Sequence, residues 1–211
     1  MPQNKPLDHL VYAVPDLDAA IDDFEARLGV RAIAGGYHPT QGTKNALINL
    51  GQGAYLELIA KDPDNHQVPG PVWMGLDYLT KPRLTRWAIK STHLDQDVEA
   101  LSGYNTELAH ISEGSRNTTS GKLLRWSLTL PAASPEVELV PFLIDWSQSE
   151  EHPTEGLPDM GCSFVSLTAT HPDPSTLLPT ILQLGNSLAI AKGVQVNLQA
   201  VIRCPKGDIV I

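Results

Sequence analysis

The chain has 211 residues, 42% hydrophobic and 18% charged, with a formal net charge of -9. That length suits one large domain or two small ones with a sizeable core, and the acidic balance argues against a nucleic-acid or anionic-membrane surface. No apolar run approaches the ~18 residues of a membrane span, MPQNKPLDH lacks the apolar segment of a signal peptide, and Cys162 and Cys204 form neither a disulfide framework nor a CxxC motif. A soluble cytoplasmic protein is expected.

Leu7 to Val14 is an apolar strand carrying one imidazole, His9. Pro15 ends it, and Asp16 or Asp18 caps a helix that puts Leu17, Ile21, Phe24 and Leu28 on one face before Gly29 stops it. A short strand at Val30 to Ala34 and the bend GGYHPTQGT follow. Strands at Asn45 to Leu50 and Ala54 to Ala60 are joined by the turn GQG, and the second carries one carboxylate, Glu57. Buried polar groups are costly unless paired or metal-bound, so His9 and Glu57 ask for an explanation.

Asp62 to Pro82 is a Pro-, Asp- and Gly-rich loop with one apolar anchor, Val72, Trp73 and Met74. The pattern then restarts: strand Leu84 to Ser91, helix LDQDVEALSG to Gly103, strand Glu107 to Glu113, loop SRNTTSG, and strands Leu123 to Leu130 and Val137 to Trp146. After the polar linker Ser147 to Asp159 comes a third round. It has strand Ser163 to Thr170, a helix DPSTLLPTILQLG with Pro179 inside, and strands Leu188 to Ala191, Val196 to Cys204 and Asp208 to Ile211. Leu17-Asp18 recurs 77 residues on as Leu94-Asp95, and Pro15-Asp16 recurs 157 residues on as Pro172-Asp173. The expected class is therefore α+β, built of three βαβββ units. Residues 1–148 hold a pair, units 7–60 and 84–146, and 160–211 an appended third.

Paired βαβββ units, with a His early in the first strand and a Glu in the last, resemble the vicinal-oxygen-chelate superfamily. GGYHPTQGTKNALINLGQGAYLELIA, LTRWAIK and VPFLIDWSQSEEHP look most like its glyoxalase-like-domain proteins, and the similarity spans essentially the whole chain. The resemblance implies that two units form a cleft, with strand-borne residues holding a divalent metal at its base. It implies His9 and Glu57 as metal ligands, for Zn, Ni, Mn, Fe or Co, with open positions for a substrate's neighbouring oxygens. The offset of 77 sets His9 against Arg86 and the offset of 157 against Ser166, neither a usual ligand.

His38, in the Gly-rich bend, is a candidate third ligand or general base, and His110 lies on the comparable strand of the second unit. Asn45, Arg86 and Arg125 are candidate substrate contacts, Arg86 because a guanidinium in a cleft fixes a carboxylate or phosphate. The reading of Arg86 as one half of an ordinary salt bridge stays open, as do a capping role for His152 and packing roles for Trp87 and Trp126. No serine-hydrolase elbow, HExxH or phosphate loop is present. Three functions follow: a metal-dependent lyase or dioxygenase, a metal-free small-molecule binder with an Arg-anchored cleft, or a scaffold. A homodimer is expected, because a lone third unit leaves a sheet edge and face open.

Overall fold

The computed structural model describes residues 4–118 and 121–211. The first unit runs β1 (Leu7–Ala13), α1 (Leu17–Leu28), β2 (Ile33–His38), β3 (Thr43–Asn49) and β4 (Tyr55–Lys61). The second runs β5 (Arg83–Lys90), α2 (Leu94–Tyr104), β6 (Ile111–Asn117), β7 (Leu123–Thr129) and β8 (Phe142–Asp145). Asp16 caps α1 by accepting from the Ala19 N–H, and Gly29 closes it in the left-handed conformation at φ 79°.

All eight strands share one sheet, in the order β2-β3-β4-β1-β5-β8-β7-β6. Each unit places its first strand parallel to its last, and the two units meet where β1 pairs antiparallel with β5. There Leu10 lies opposite Trp87, two residues that the offset of 77 also relates. The seam is thus a local two-fold axis, and the sequence repeat is a symmetry of the sheet. The sheet curls until its end strands meet: the Arg116 guanidinium on β6 donates to the Gly35 carbonyl on β2.

One apolar core lies on the convex side, under α1, α2 and the third unit. Another fills part of the concave side, around Val11, Ile59, Ala88, Leu124 and Phe142. Val72, Met74 and Leu76 cover it from the long loop, where a 3-10 turn, Trp73–Tyr78, interrupts the irregular chain.

Several boundaries differ from the sequence expectation. β2 starts later and includes the Gly-rich stretch, so His38 ends a strand. Thr106–Ala109 forms a 3-10 turn, and β6 begins only at Ile111, taking in Ser115, Arg116 and Asn117 of the expected loop. Thr119 and Ser120 of that loop lie outside the described residues. Polar side chains alternating at a sheet edge look like loop because only one face of the strand is buried.

The third unit has β9 (Ser163–His171), α3 (Leu178–Gln183), β10 (Ala189–Lys192), β11 (Asn197–Cys204) and β12 (Gly207–Val210). Its chain order matches the other units, but its sheet runs β10-β9-β11-β12. Pro179 falls in the first turn of α3, where its missing N–H costs nothing, and Pro174 opens a separate 3-10 turn; the expected long helix is therefore two pieces. Leu198, Ala200 and Ile202 of β11 join the same convex core as α1 and β4, and Lys206 N–H donates to the Leu28 carbonyl. No described helix is long and apolar enough to cross a membrane.

Candidate functional site

The concave face holds a small cavity of about 40 Å³. Its apolar walls include Trp73, Trp126, Phe142 and Trp146, and its polar lining is His9, His38, Gln41, Asn45, Glu57 and Arg116.

His9 stands at the base because of a β-bulge. Between Leu7 and His9 the β1–β5 register shifts by one residue, the extra residue being Asp8. Neighbouring strand residues normally point to opposite faces; the bulge lets the Asp8 carboxylate turn back to its neighbour's ring. His9 Nδ1 lies 2.6 Å from Asp8 Oδ1. Asp8 Oδ2 accepts from Trp146 Nε1 at 3.1 Å and lies 2.9 Å from His152 Nε2. Burial pushes the Asp8 carboxyl up, but the hydrogen bonds and positive fields of His152 and His9 outweigh it and hold the group at about 2.

That ionised carboxylate can only accept, so His9 Nδ1 and His152 Nε2 both carry hydrogens. Thr154 N–H donates to His152 Nδ1, completing a consistent assignment. In the neutral ring His9 therefore turns the Nε2 lone pair to the cavity, where Glu57 Oε2 lies 3.9 Å away. Tyr55 stacks on the imidazole with centroids 4.7 Å apart. The other Glu57 oxygen accepts from Asn45 Nδ2 at 2.5 Å. A methyl group at Gly35 would overlap Asn45 Oδ1, so the bare glycine is what lets Asn45 reach Glu57.

His38 Nδ1 contacts Thr43 Oγ1 at 2.8 Å, and burial pulls its pKa down to about 4 against the opposing pull of Glu57. At neutral pH it is an uncharged hydrogen-bonding group. Arg116 brings a positive charge into the cavity; burial lowers its pKa while Tyr55 and Glu57 raise it.

The structure thus gathers His9, Glu57, Asn45 and His38 in one cavity, and does not bring Arg86 or Arg125 there. Arg86 is 1% exposed and donates to the backbone carbonyls of Thr85, Ala132, Ser134 and Glu136. Ser134 and Pro135 pack on Gly75, next to Met74 of the cavity wall, so Arg86 braces the loop behind that wall. The expectation of Arg86 as a cleft anchor is corrected: the loop before β8 offers three carbonyls and Thr85 of its own strand a fourth, a better-matched set than solvent. Arg125 is exposed on β7, and Ser149 packs on its backbone. Sequence reasoning missed Asp8, Tyr55, Arg116 and Trp146. Only Asp8, an acid beside the one imidazole in an apolar strand, left a visible signal. His152 does cap a short turn, through a capping box, and also reaches Asp8.

The two-fold tests whether these residues suit a resident divalent ion. It carries His9 to Arg86, which is spent on carbonyls. Glu57 lies opposite Val11, whose mate is Ala88, and Ala88 lies opposite Phe142. The four symmetry-related positions hold His, Glu, Arg and Phe, and the Phe142 ring stands edge-on to His9 at 5.3 Å. Of those four positions only His9 and Glu57 hold ordinary ligand types, where a resident ion wants three or four. Among the described residues no cluster of three or more His, Cys, Asp or Glu is arranged to hold a metal ion. The donor set does not complete a metal centre.

Paired βαβββ units in one curled sheet, with a polar pair at the base, define the vicinal-oxygen-chelate class. Residues 7–185 match the family model described as a glyoxalase-like domain, and the chain belongs to that family. A crystal structure of a hypothetical protein from Staphylococcus aureus is similar at a TM-score of 0.62 and 16% identity, covering 97% of this chain and 83% of that one. Methylmalonyl-CoA epimerase from Mycobacterium tuberculosis matches at a TM-score of 0.44 and 21% identity, over 69% of this chain and 91% of that one. These likenesses concern the fold. No curated protein sequence matches the chain.

Proposed function

We propose that the protein is an enzyme that binds a small oxygen-bearing molecule in the concave cavity and moves a proton on it. His9 Nε2 and Glu57 act as the acceptors. The observation that supports this is two lone-pair carriers facing each other across 3.9 Å, each fixed from behind, His9 by Asp8 and Glu57 by Asn45. Facing acceptors repel unless a donor lies between them, and a ligand O–H or an acidic C–H beside a carbonyl supplies one. Asp8 holds the tautomer and steadies His9 when it gains the proton, as a carboxylate does behind any catalytic imidazole. Arg116 and the uncharged His38 are the groups positioned to stabilise oxygen on which negative charge develops. Apolar walls exclude water and favour a compact, largely apolar ligand.

A metal-dependent lyase or dioxygenase would use the same two residues, but no step here needs one. The test has two parts. Small hydroxycarbonyls, dicarbonyls and phenols are screened for a rise in thermal midpoint in the presence of chelator. Compounds that bind are then followed by NMR in D2O for exchange of the carbon-bound hydrogen beside the carbonyl. Binding with exchange lost in His9→Ala and Glu57→Gln is expected. Binding without exchange in the wild type would leave a sequestering protein. A response that appears only on adding a divalent ion would restore the metal-dependent reading.

A further inference from the structure

The cavity leaves one pair of reactive side chains unused, at the far side of the molecule. Cys162 and Cys204 are the only cysteines in the chain. β9 and β11 run antiparallel with Ser163 opposite Arg203, so the next pair outward along the ladder is Cys162 and Cys204. Both are buried free thiols, and their Sγ atoms lie 3.0 Å apart, closer than two unbonded sulfurs normally rest. The pair also sits at a junction. Phe164 N–H donates to the Leu50 carbonyl and Lys206 N–H to the Leu28 carbonyl, both joining the third unit to the first. Cys162 ends the linker that delivers His152 to Asp8.

We propose that Cys162 and Cys204 are a thiol–disulfide site, closed by exchange with a low-molecular-weight disulfide into a cross-strand bond that staples the linker's end to β11. One cysteine thiolate attacks the small disulfide and expels one thiolate, leaving a mixed disulfide on the protein. The second cysteine thiolate then attacks the protein sulfur of that mixed disulfide and expels the other small thiolate. The protein loses two electrons and two protons, and the small disulfide becomes two thiols. The sulfurs already lie within a short side-chain movement of bonding, so no strand has to move. Burial raises both thiols, Cys204 to about 12 with its neighbour Cys162 adding to the rise, so few thiolates exist at neutral pH. Exchange is therefore slow at pH 7 and quickens as the pH rises.

The experiment treats the whole protein with oxidised glutathione at pH 8.5, about the reference pKa of a free thiol. It then reads intact mass and counts thiols after denaturation. The expected product is a monomer lacking two hydrogens, with no glutathione adduct and no free thiol. Its thermal midpoint should be raised by about 5 °C or more and restored by reductant. Cys204→Ser should stop at one glutathione adduct on Cys162 or remain unreacted, with no gain in midpoint; Cys162→Ser serves if that variant folds poorly. Two free thiols after prolonged oxidation, a stable double adduct, or a dimer linked through these cysteines would each overturn the proposal. The cavity plays no part in this readout.

Discussion

The two halves of the sheet are related by symmetry and have been put to opposite uses. In the first unit, the concave positions hold His9 and Glu57, facing a cavity. In the second, the same positions hold Arg86 and Phe142, one bound to loop carbonyls and the other packed against His9. A repeat fixes where side chains point, because the strand period and register are shared; it does not fix what they meet. What they meet depends on the segments outside the repeat. The second unit has the long Pro131 to Val140 stretch before β8, and that stretch supplies the carbonyls that claim Arg86.

The sharpest break in this asymmetry is in catalysis. For any compound that passes the exchange assay, His9→Ala should lower the rate about 10²- to 10⁴-fold, as losing a general base does. Asp8→Asn should lower it too, and also shift the pH profile of exchange, because it alters the charge behind His9 without touching the ligand.

On the other side of the two-fold, Arg86→Ala should leave the exchange chemistry to the cavity groups and cost stability instead. Stranding four carbonyls that lose a charged donor predicts a loss of about 3 kcal/mol or more, read from urea unfolding. Wild-type stability with lost ligand affinity would reverse the roles assigned to the two units.

Acid should separate the cavity's groups. His38 has a folded pKa of about 4 against an ordinary 6.5. The unfolded chain thus binds the extra proton first, and stability falls as the pH drops from 6.5 towards 4, by about 3 kcal/mol at most. Asp8, at about 2 against 3.8, contributes stability that is full above 3.8 and lost as the pH falls through 2, about 2 kcal/mol. Unfolding free energy measured from pH 7 to pH 4 should slope in wild type and flatten in His38→Gln. An unchanged slope would place the acid sensitivity elsewhere.

The smallest effect belongs to Arg125. Its side chain is exposed, so Arg125→Ala should change stability by no more than about 0.5 kcal/mol and leave ligand binding unaltered.

Much of this was legible in the chain. The repeat and its offset of 77 rest on recurring residue pairs, and the choice of His9 and Glu57 on an imidazole and a carboxylate set in largely apolar strands, a pattern that burial imposes on sequence. Asn45 lies on an expected strand of the first unit, β3, whereas His38, read in the Gly-rich bend, ends β2. Three things came only with the tertiary structure. Arg86 shares the position of a ligand but turns to a loop that no periodicity describes. Arg116 sat in a stretch that read as loop, because an edge strand shows its burial on one side only. Asp8 reaches His9 through a bulge, a one-residue slip in pairing that leaves no mark on the sequence. Local patterning determines which face a side chain occupies; only the folded chain decides which partner is waiting there, since loops, bulges and sheet closure bring together residues that are far apart in sequence.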